Sequence, residues 1–179
     1  MTAIDAGDML LRARAVRLAL FDVDGVLTDG RLYYGPAGES LKAFNILDGH
    51  GLRMLARSGV ATGLLSGRQS PAAAIRASEL GMAHVILGAE DKLLHFERLR
   101  ASLALDASQC AFVGDDLPDI PVMRSCGLAV AVANAIPEVK ARAHYVTAAS
   151  GGHGAVREFC ELLMRAQGTL DAALARYLG

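Results

Sequence analysis

Tryptophan is absent from this sequence, aromatic residues reach only 5%, and lysine supplies 3 of the 18 basic side chains against 15 arginines. A core without large rings must be built from aliphatic side chains. The 53% hydrophobic content and mean hydropathy of +0.31 fit an Ala/Leu/Val-rich α/β protein whose sheet is covered on both faces. Neither sign of charge is in excess: a formal net charge of −1 and a pI near 6.5 argue against a nucleic-acid-binding surface. Cysteine is limited to Cys110, Cys126 and Cys160, an odd and scattered set in apolar settings. That set has neither metal-ligand spacing nor a disulfide framework, and it suits a reducing cytosol. No apolar run approaches transmembrane length, and the acids and arginines around Met9-Leu10-Leu11 argue against a secretory signal. Repeats, linkers and low-complexity tracts are missing too. The expectation is one cytoplasmic domain over 1–179, with no nucleic-acid or membrane partner.

What is present is an alternation of strands and helices. Residues 4–15 read as an amphipathic lead-in helix and 17–22 as the first strand. Arg31-Leu32-Tyr33-Tyr34 and Ser40-Leu41-Lys42-Ala43-Phe44 flank Gly35-Pro36-Ala37-Gly38, which predicts a hairpin over 31–44. Helices follow near 48–58, 70–80, 91–104 and 154–167, and strands at 60–65, 84–87, 111–113, 128–132 and around 144–146, before a polar-apolar tail at about 168–179. This order predicts a doubly wound parallel sheet with a projecting β-hairpin.

The chemistry begins at Leu18-Ala19-Leu20-Phe21-Asp22-Val23-Asp24-Gly25, an apolar strand that ends in acid and glycine. Residues i and i+2 of a strand project to the same side, so Asp22 and Asp24 would meet at the carboxyl end, where open α/β sheets bind ligands. Two such carboxylates repel unless a cation or a shared proton neutralises them, and a hard cation with oxygen ligands, Mg²⁺, resolves that conflict. The plainer alternative is a capping acid beside an Asp-Gly turn. Three further strand ends weigh against it. Leu64-Leu65-Ser66-Gly67-Arg68 brings a hydroxyl and a guanidinium, Gly88-Ala89-Glu90-Asp91-Lys92 opens a helix with a lysine, and Val113-Gly114-Asp115-Asp116-Leu117-Pro118-Asp119 ends in three acids. A cation and a lysine neutralise phosphate charge, and a carboxylate can attack phosphorus. In a chain this poor in lysine, Lys92 looks selected rather than incidental.

In this order the four segments resemble the haloacid dehalogenase superfamily, whose core is Rossmann-like. Lys42-Ala43-Phe44-Asn45-Ile46-Leu47-Asp48-Gly49-His50-Gly51-Leu52-Arg53 and Gly151-Gly152-His153-Gly154-Ala155-Val156-Arg157-Glu158 narrow the likeness to the 3-deoxy-D-manno-octulosonate (KDO) 8-phosphate phosphatase family, over about residues 15–170. The resemblance implies that Asp22 is the nucleophile and a Mg²⁺ ligand, and that Asp24 is the general acid/base and a ligand through its carbonyl. It implies a third ligand in Asp115, phosphoryl contacts from Ser66 and Lys92, and a supporting role for Asp116 and Asp119. Asn45, Asp48, Gly49, Arg53, Arg68 and Arg76 match positions expected around the sugar acid and its phosphate. Plainer roles stand beside these: Asp48 as N-cap of the 48–58 helix, Arg53 in a surface contact with Asp48, and Arg76 on a solvated helix face.

The stretch between Asp24 and Gly67 is consumed by a hairpin, a helix and a strand, so no cap domain is expected. A neighbouring subunit would then close the site. The resemblance implies a homotetramer with central hairpins, sites at subunit interfaces, and a role in lipopolysaccharide synthesis. Gly151-Gly152 would lie near a site mouth, with Arg157 either a ligand or a helix-surface residue, while His153 departs from the family pattern. Competing readings are a phosphatase for nine-carbon sugar-acid 9-phosphates, a phospho-accepting receiver domain, and a non-catalytic assembly protein.

Overall fold

The computed structural model describes residues 6–36 and 38–178, so the start of the expected 4–15 helix lies outside the described residues. Helix α1 (Ala6–Ala15) leads into β1 (Leu18–Phe21), four wholly buried residues. A separate antiparallel hairpin, β2 (Tyr33–Gly35) and β3 (Gly38–Leu41), comes next. Then α2 (Ile46–Arg57), β4 (Ala61–Ser66), α3 (Pro71–Leu80), β5 (His84–Leu87), α4 (Lys92–Ser102) and β6 (Cys110–Gly114) alternate along the chain. The remainder is α5 (Ile120–Ser125), β7 (Leu128–Ala131), α6 (Pro137–Lys140), β8 (Tyr145–Val146), α7 (Ala155–Ala166) and α8 (Leu170–Leu178).

The six-stranded sheet is parallel throughout, in the order β5-β4-β1-β6-β7-β8. From β1 the chain winds outward through β4 and β5, then returns to the other side through β6, β7 and β8. The winding direction reverses between β1 and β6, and such a switch point opens a crevice above the strands' carboxyl ends. Phe21, Phe112 and Phe159 are fully buried beneath it, with Phe21 edge-on to Phe159 at 6.0 Å.

Three expectations need correction. Helix α2 starts at Ile46 because Asn45, not Asp48, is its N-cap, accepting from Leu47 N–H at 2.8 Å. The hairpin ladder ends at Leu41, as residues 42–45 turn toward the crevice. The tail is helical: α8 lies against α2, where Tyr177 meets His50 edge-on at 5.3 Å.

Asp48 is 1% exposed, and its carboxylate accepts from the N–H groups of Arg157 (2.8 Å) and Gly154 (3.3 Å). Helix α7 has a glycine at its N-cap and no capping side chain of its own, so an acid from α2 satisfies its first turn. Asp48→Ala leaves those donors buried and unpaired. It is expected to lower the unfolding free energy by about 1–3 kcal/mol in urea titrations. An unchanged midpoint would show that α7 does not depend on this acid.

Candidate active site

The loop after β1 is folded by its own residues. The N–H groups of Val26, Leu27 and Thr28 converge on the Val23 carbonyl, and the buried Thr28 hydroxyl accepts from Gly25 and Gly30 N–H. Gly25 has φ +90°, and a methyl there would land on the Asp115 carboxylate. The loop is thereby pressed against the end of β6, and Asp22 meets Asp115 across the switch point.

Lys92 opens α4 and is 6% exposed. Its ammonium lies 2.8 Å from Asp22 Oδ1 and 2.7 Å from Asp119 Oδ1. The other oxygen of Asp119 accepts from the N–H groups of Asp115 (2.9 Å) and Asp116 (3.2 Å), so Asp119 is fully committed to holding Lys92 and the end of β6. Asp116, at the exposed rim, caps the following turn through Leu117 N–H. Buried Ser66, at the end of β4, completes the wall of a cavity of about 290 Å³ lined also by Asp22, Asp24, Arg68, Lys92 and Asp115.

Burial raises the Asp22 carboxyl to about 6, Asp119 adding to the rise while Lys92 opposes it. Burial likewise pushes Asp115 up to about 8, with Asp22, Asp119 and Asp116 contributing. Burial alone would lower the Lys92 ammonium, but Asp22 and Asp119 outweigh it and the net shift is upward. Oxygens of Asp22, Asp115 and Asp119 lie within 4.8 Å of one another. Fully ionised, three carboxylates against one ammonium would leave two negative charges, and Asp115 Oδ1 is buried without a hydrogen-bond partner. A divalent hard cation fits that donor set. Asp119 already meets Lys92 and two backbone N–H groups, so Asp22 and Asp115 are the less committed side chains of the three.

A second cluster joins the hairpin to the loop. Lys42 pairs with Asp24 Oδ1 and lies 3.1 Å from Glu39, while Arg68 lies 2.6 Å from Glu39 and 3.5 Å from Asp24. Lys42 heads the 42–53 run that narrows the resemblance, but the sequence assigned no role to it or to Glu39. The signal was there: Lys42 is another of the 3 lysines, and the scarcity that marks Lys92 marks it too.

Other expected site residues lie elsewhere. Asn45 is occupied at both ends, as N-cap and as donor to the Gly152 carbonyl at 3.1 Å. Gly49 lets α3 approach α2, since a Cβ there would meet the Arg76 guanidinium. Arg76 pairs with Glu79, and exposed Arg53 donates to the Glu79 carbonyl at 2.6 Å. Arg53 therefore makes no surface contact with Asp48. Arg157 pairs with Glu161 at 2.5 Å, and His153 is exposed. Asn45, Asp48, Gly49, Arg53 and Arg76 are absent from the lining of the Asp22 cavity. Asn134, which the sequence did not flag, donates to the Gly25 carbonyl (3.2 Å) and accepts from Gly151 N–H (2.6 Å). Gly151-Gly152 thus backs the acidic loop directly.

Comparison with known proteins meets this geometry from outside. Residues 57–159 match the family model described as haloacid dehalogenase-like hydrolase. The 3-deoxy-D-manno-octulosonate 8-phosphate phosphatase KdsC of Yersinia pestis is 46% identical over 168 residues, 94% of this chain and 90% of that protein. A probable YrbI family phosphatase from Pseudomonas syringae superposes with TM-score 0.95 at 52% identity, covering 97% of this chain and 99% of the other. The Moraxella catarrhalis 3-deoxy-D-manno-octulosonate 8-phosphate phosphatase, solved with magnesium, phosphate and KDO, gives TM-score 0.94 at 40% identity over 96% and 99% of the two chains. With the acid cluster, the lysine and the switch-point crevice all in one chain, it follows that this chain belongs to the 3-deoxy-D-manno-octulosonate 8-phosphate phosphatase family of haloacid dehalogenase-like hydrolases.

Proposed function

We propose that the chain is a Mg²⁺-dependent phosphatase that converts 3-deoxy-D-manno-octulosonate 8-phosphate to the free sugar acid and inorganic phosphate, in lipopolysaccharide synthesis. The observation that carries this reading is Lys92 clamped between Asp22 and Asp119 beside an unpartnered, desolvated Asp115. The identity to named phosphatases supports the substrate.

In the first step an Asp22 oxygen bonds to phosphorus while the bond from phosphorus to the sugar oxygen breaks, and Asp24 gives that oxygen its proton. In the second, Asp24 takes a proton from water, the water oxygen bonds to phosphorus, and the Asp22–phosphorus bond breaks to release phosphate. Ser66 and Lys92 hold the non-bridging oxygens, and Arg68 faces the sugar acid. Asp22, Asp115 and the Asp24 carbonyl would hold Mg²⁺, which neutralises phosphoryl charge when bound.

Support for a homotetramer with sites at subunit interfaces comes from apolar residues left in water around the hairpin. Tyr34, Leu41, Ile46 and Leu47 are 67%, 52%, 80% and 59% exposed, more than an isolated chain needs. Arg53 and Arg76 lie outside their own cavity, both bonded to Glu79, and would exchange that partner to reach a neighbouring copy's substrate. Sedimentation at micromolar concentration tests this, and a monomer would rule it out. No helix among the described residues is long and apolar enough to cross a membrane, and the three cysteines are free and buried, which supports a cytoplasmic location.

The test is phosphate release, with Mg²⁺ and with chelator, from the eight-carbon sugar-acid phosphate, the nine-carbon 9-phosphates and a hexose phosphate. Chelator-sensitive preference for the eight-carbon acid is expected; preference for a nine-carbon acid would move the substrate and keep the chemistry. Asp22→Asn is expected to abolish turnover in a folded protein. Asp24→Asn is expected to slow it by roughly 10²–10⁴-fold. Near-normal rates in either would overturn the assigned roles.

Metal dependence should also appear in stability. Asp115 and Asp22 are raised above ordinary carboxyl values, so the metal-free folded state keeps protons that the unfolded chain has released. Its stability therefore falls as pH rises from about 4 to about 8. Mg²⁺ displaces those protons, so its thermal stabilisation is expected to be larger at pH 8 than at pH 5.5. An equal Mg²⁺ effect at both would argue against Asp115 as a ligand.

A further inference from the structure

Resting on the reading of Asp24 as general acid/base, we propose that Lys42 is the positioning residue for that carboxylate, with Glu39 as its anchor. The hairpin would then be part of the catalytic machinery of its own chain as well as a surface for assembly.

Four charges form a closed ring, Asp24–Lys42–Glu39–Arg68. Each carboxylate gives one oxygen to each cation. Asp24 offers Oδ1 to Lys42 and Oδ2 toward Arg68, and Glu39 offers Oε1 to Lys42 and Oε2 to Arg68. Two positive and two negative groups balance, so the ring needs no further counter-ion. Its members are unequally held. The Lys42 side chain is 1% exposed and Arg68 is 44% exposed, so Lys42 is the fixed strut and Arg68 the member free to turn toward a ligand.

The two oxygens of Asp24 are unequal as well. Oδ1 carries the contact to Lys42. Oδ2 is buried with no hydrogen-bond partner, because Arg68 Nε stands 3.5 Å away. A carboxylate pinned through one oxygen has the other aimed, and an aimed, undonated oxygen is what proton exchange with a leaving group or a water requires. Glu39 has no such spare oxygen, since both of its oxygens meet cations. Its place is to keep Lys42 from relaxing. The geometry also gives the hairpin its reason for closing here: Lys42 follows β3 directly, and burying its amine demands both acids at once.

Three substrates separate positioning from other roles: the sugar-acid 8-phosphate, a hexose phosphate without a carboxylate, and 4-nitrophenyl phosphate, whose leaving group needs no proton. The quantity to read is kcat/KM, which excludes the later, shared hydrolysis of the phosphorylated aspartate. Lys42→Met, with Mg²⁺ present, is expected to lose about ten- to a hundredfold on both sugar phosphates and to stay within about threefold on the aryl ester, a part of the acid–base contribution. Lys42→Arg should recover part of the loss. Glu39→Gln should show the same pattern more weakly, and it keeps the question open to test if Lys42→Met unfolds.

Equal loss on all three substrates would overturn the proposal in favour of a merely structural hairpin. Loss confined to the sugar acid would overturn it in favour of direct carboxylate binding by Lys42. Unchanged rates throughout would also overturn it. Asp24→Asn is the control for the parent reading. If that variant itself fails to discriminate sugar from aryl ester, the acid/base assignment falls, whatever Lys42 does.

Discussion

The structure turns on one electrostatic arrangement: a nearly buried ammonium, Lys92, between two nearly buried carboxylates, Asp22 and Asp119. Acids taken out of water at this spacing are costly unless compensated, and compensation by one lysine is incomplete. The fold tolerates the deficit because the acids sit where two crossovers diverge and backbone N–H groups of β6's end face Asp119. The charge left over is the functional property. It favours a divalent cation, and it keeps Asp22 next to Lys92, the two side chains proposed to attack the phosphoryl group and to share its oxygens.

Around that centre the chain uses backbone where a side chain would not fit. Gly25 lies on Asp115, and Gly151 lies on Gly25 so closely that neither has space for a methyl. Asn134 bridges the two segments, and Asn45 ties α2 to Gly152. The narrow sequence runs at 42–53 and 151–158 are therefore physically joined. Part of what makes them distinctive is this joint, which braces the acidic loop from behind.

The strand ends were legible in the sequence because their signals are local. An apolar run broken by Asp22, Ser66 or Asp115 states both the strand and the side chain at its tip, and Lys92 at a helix start is as direct. Asn45 and Asp48 were legible as polar residues but not in their employment, because their partners lie 107 and 109 residues away. Helix capping looked like a matter between Asp48 and its own helix; tertiary packing gave the acid to α7 instead. The link from Lys42 to Asp24 was not legible because its hairpin read as a projection, whereas the chain after β3 turns back to Asp24. Helix α8 was missed although Leu170, Ala173 and Leu174 recur at helical spacing and pack against the core.

The joint between Gly25 and Gly151 has a consequence for biosynthesis. A chain leaves the ribosome amino end first, so Asp22 and Asp24 are made before their partners. Lys92, Asp115, Asn134 and Gly151, which compensate, crowd and brace them, follow in that order. Until the last has emerged, the acidic loop lacks its rear wall, and Asp48 still awaits Gly154 and Arg157, whose N–H groups it accepts from. Asp22 thus precedes every group that compensates or braces it, and the centre is completed only once Gly151 has been made and packed.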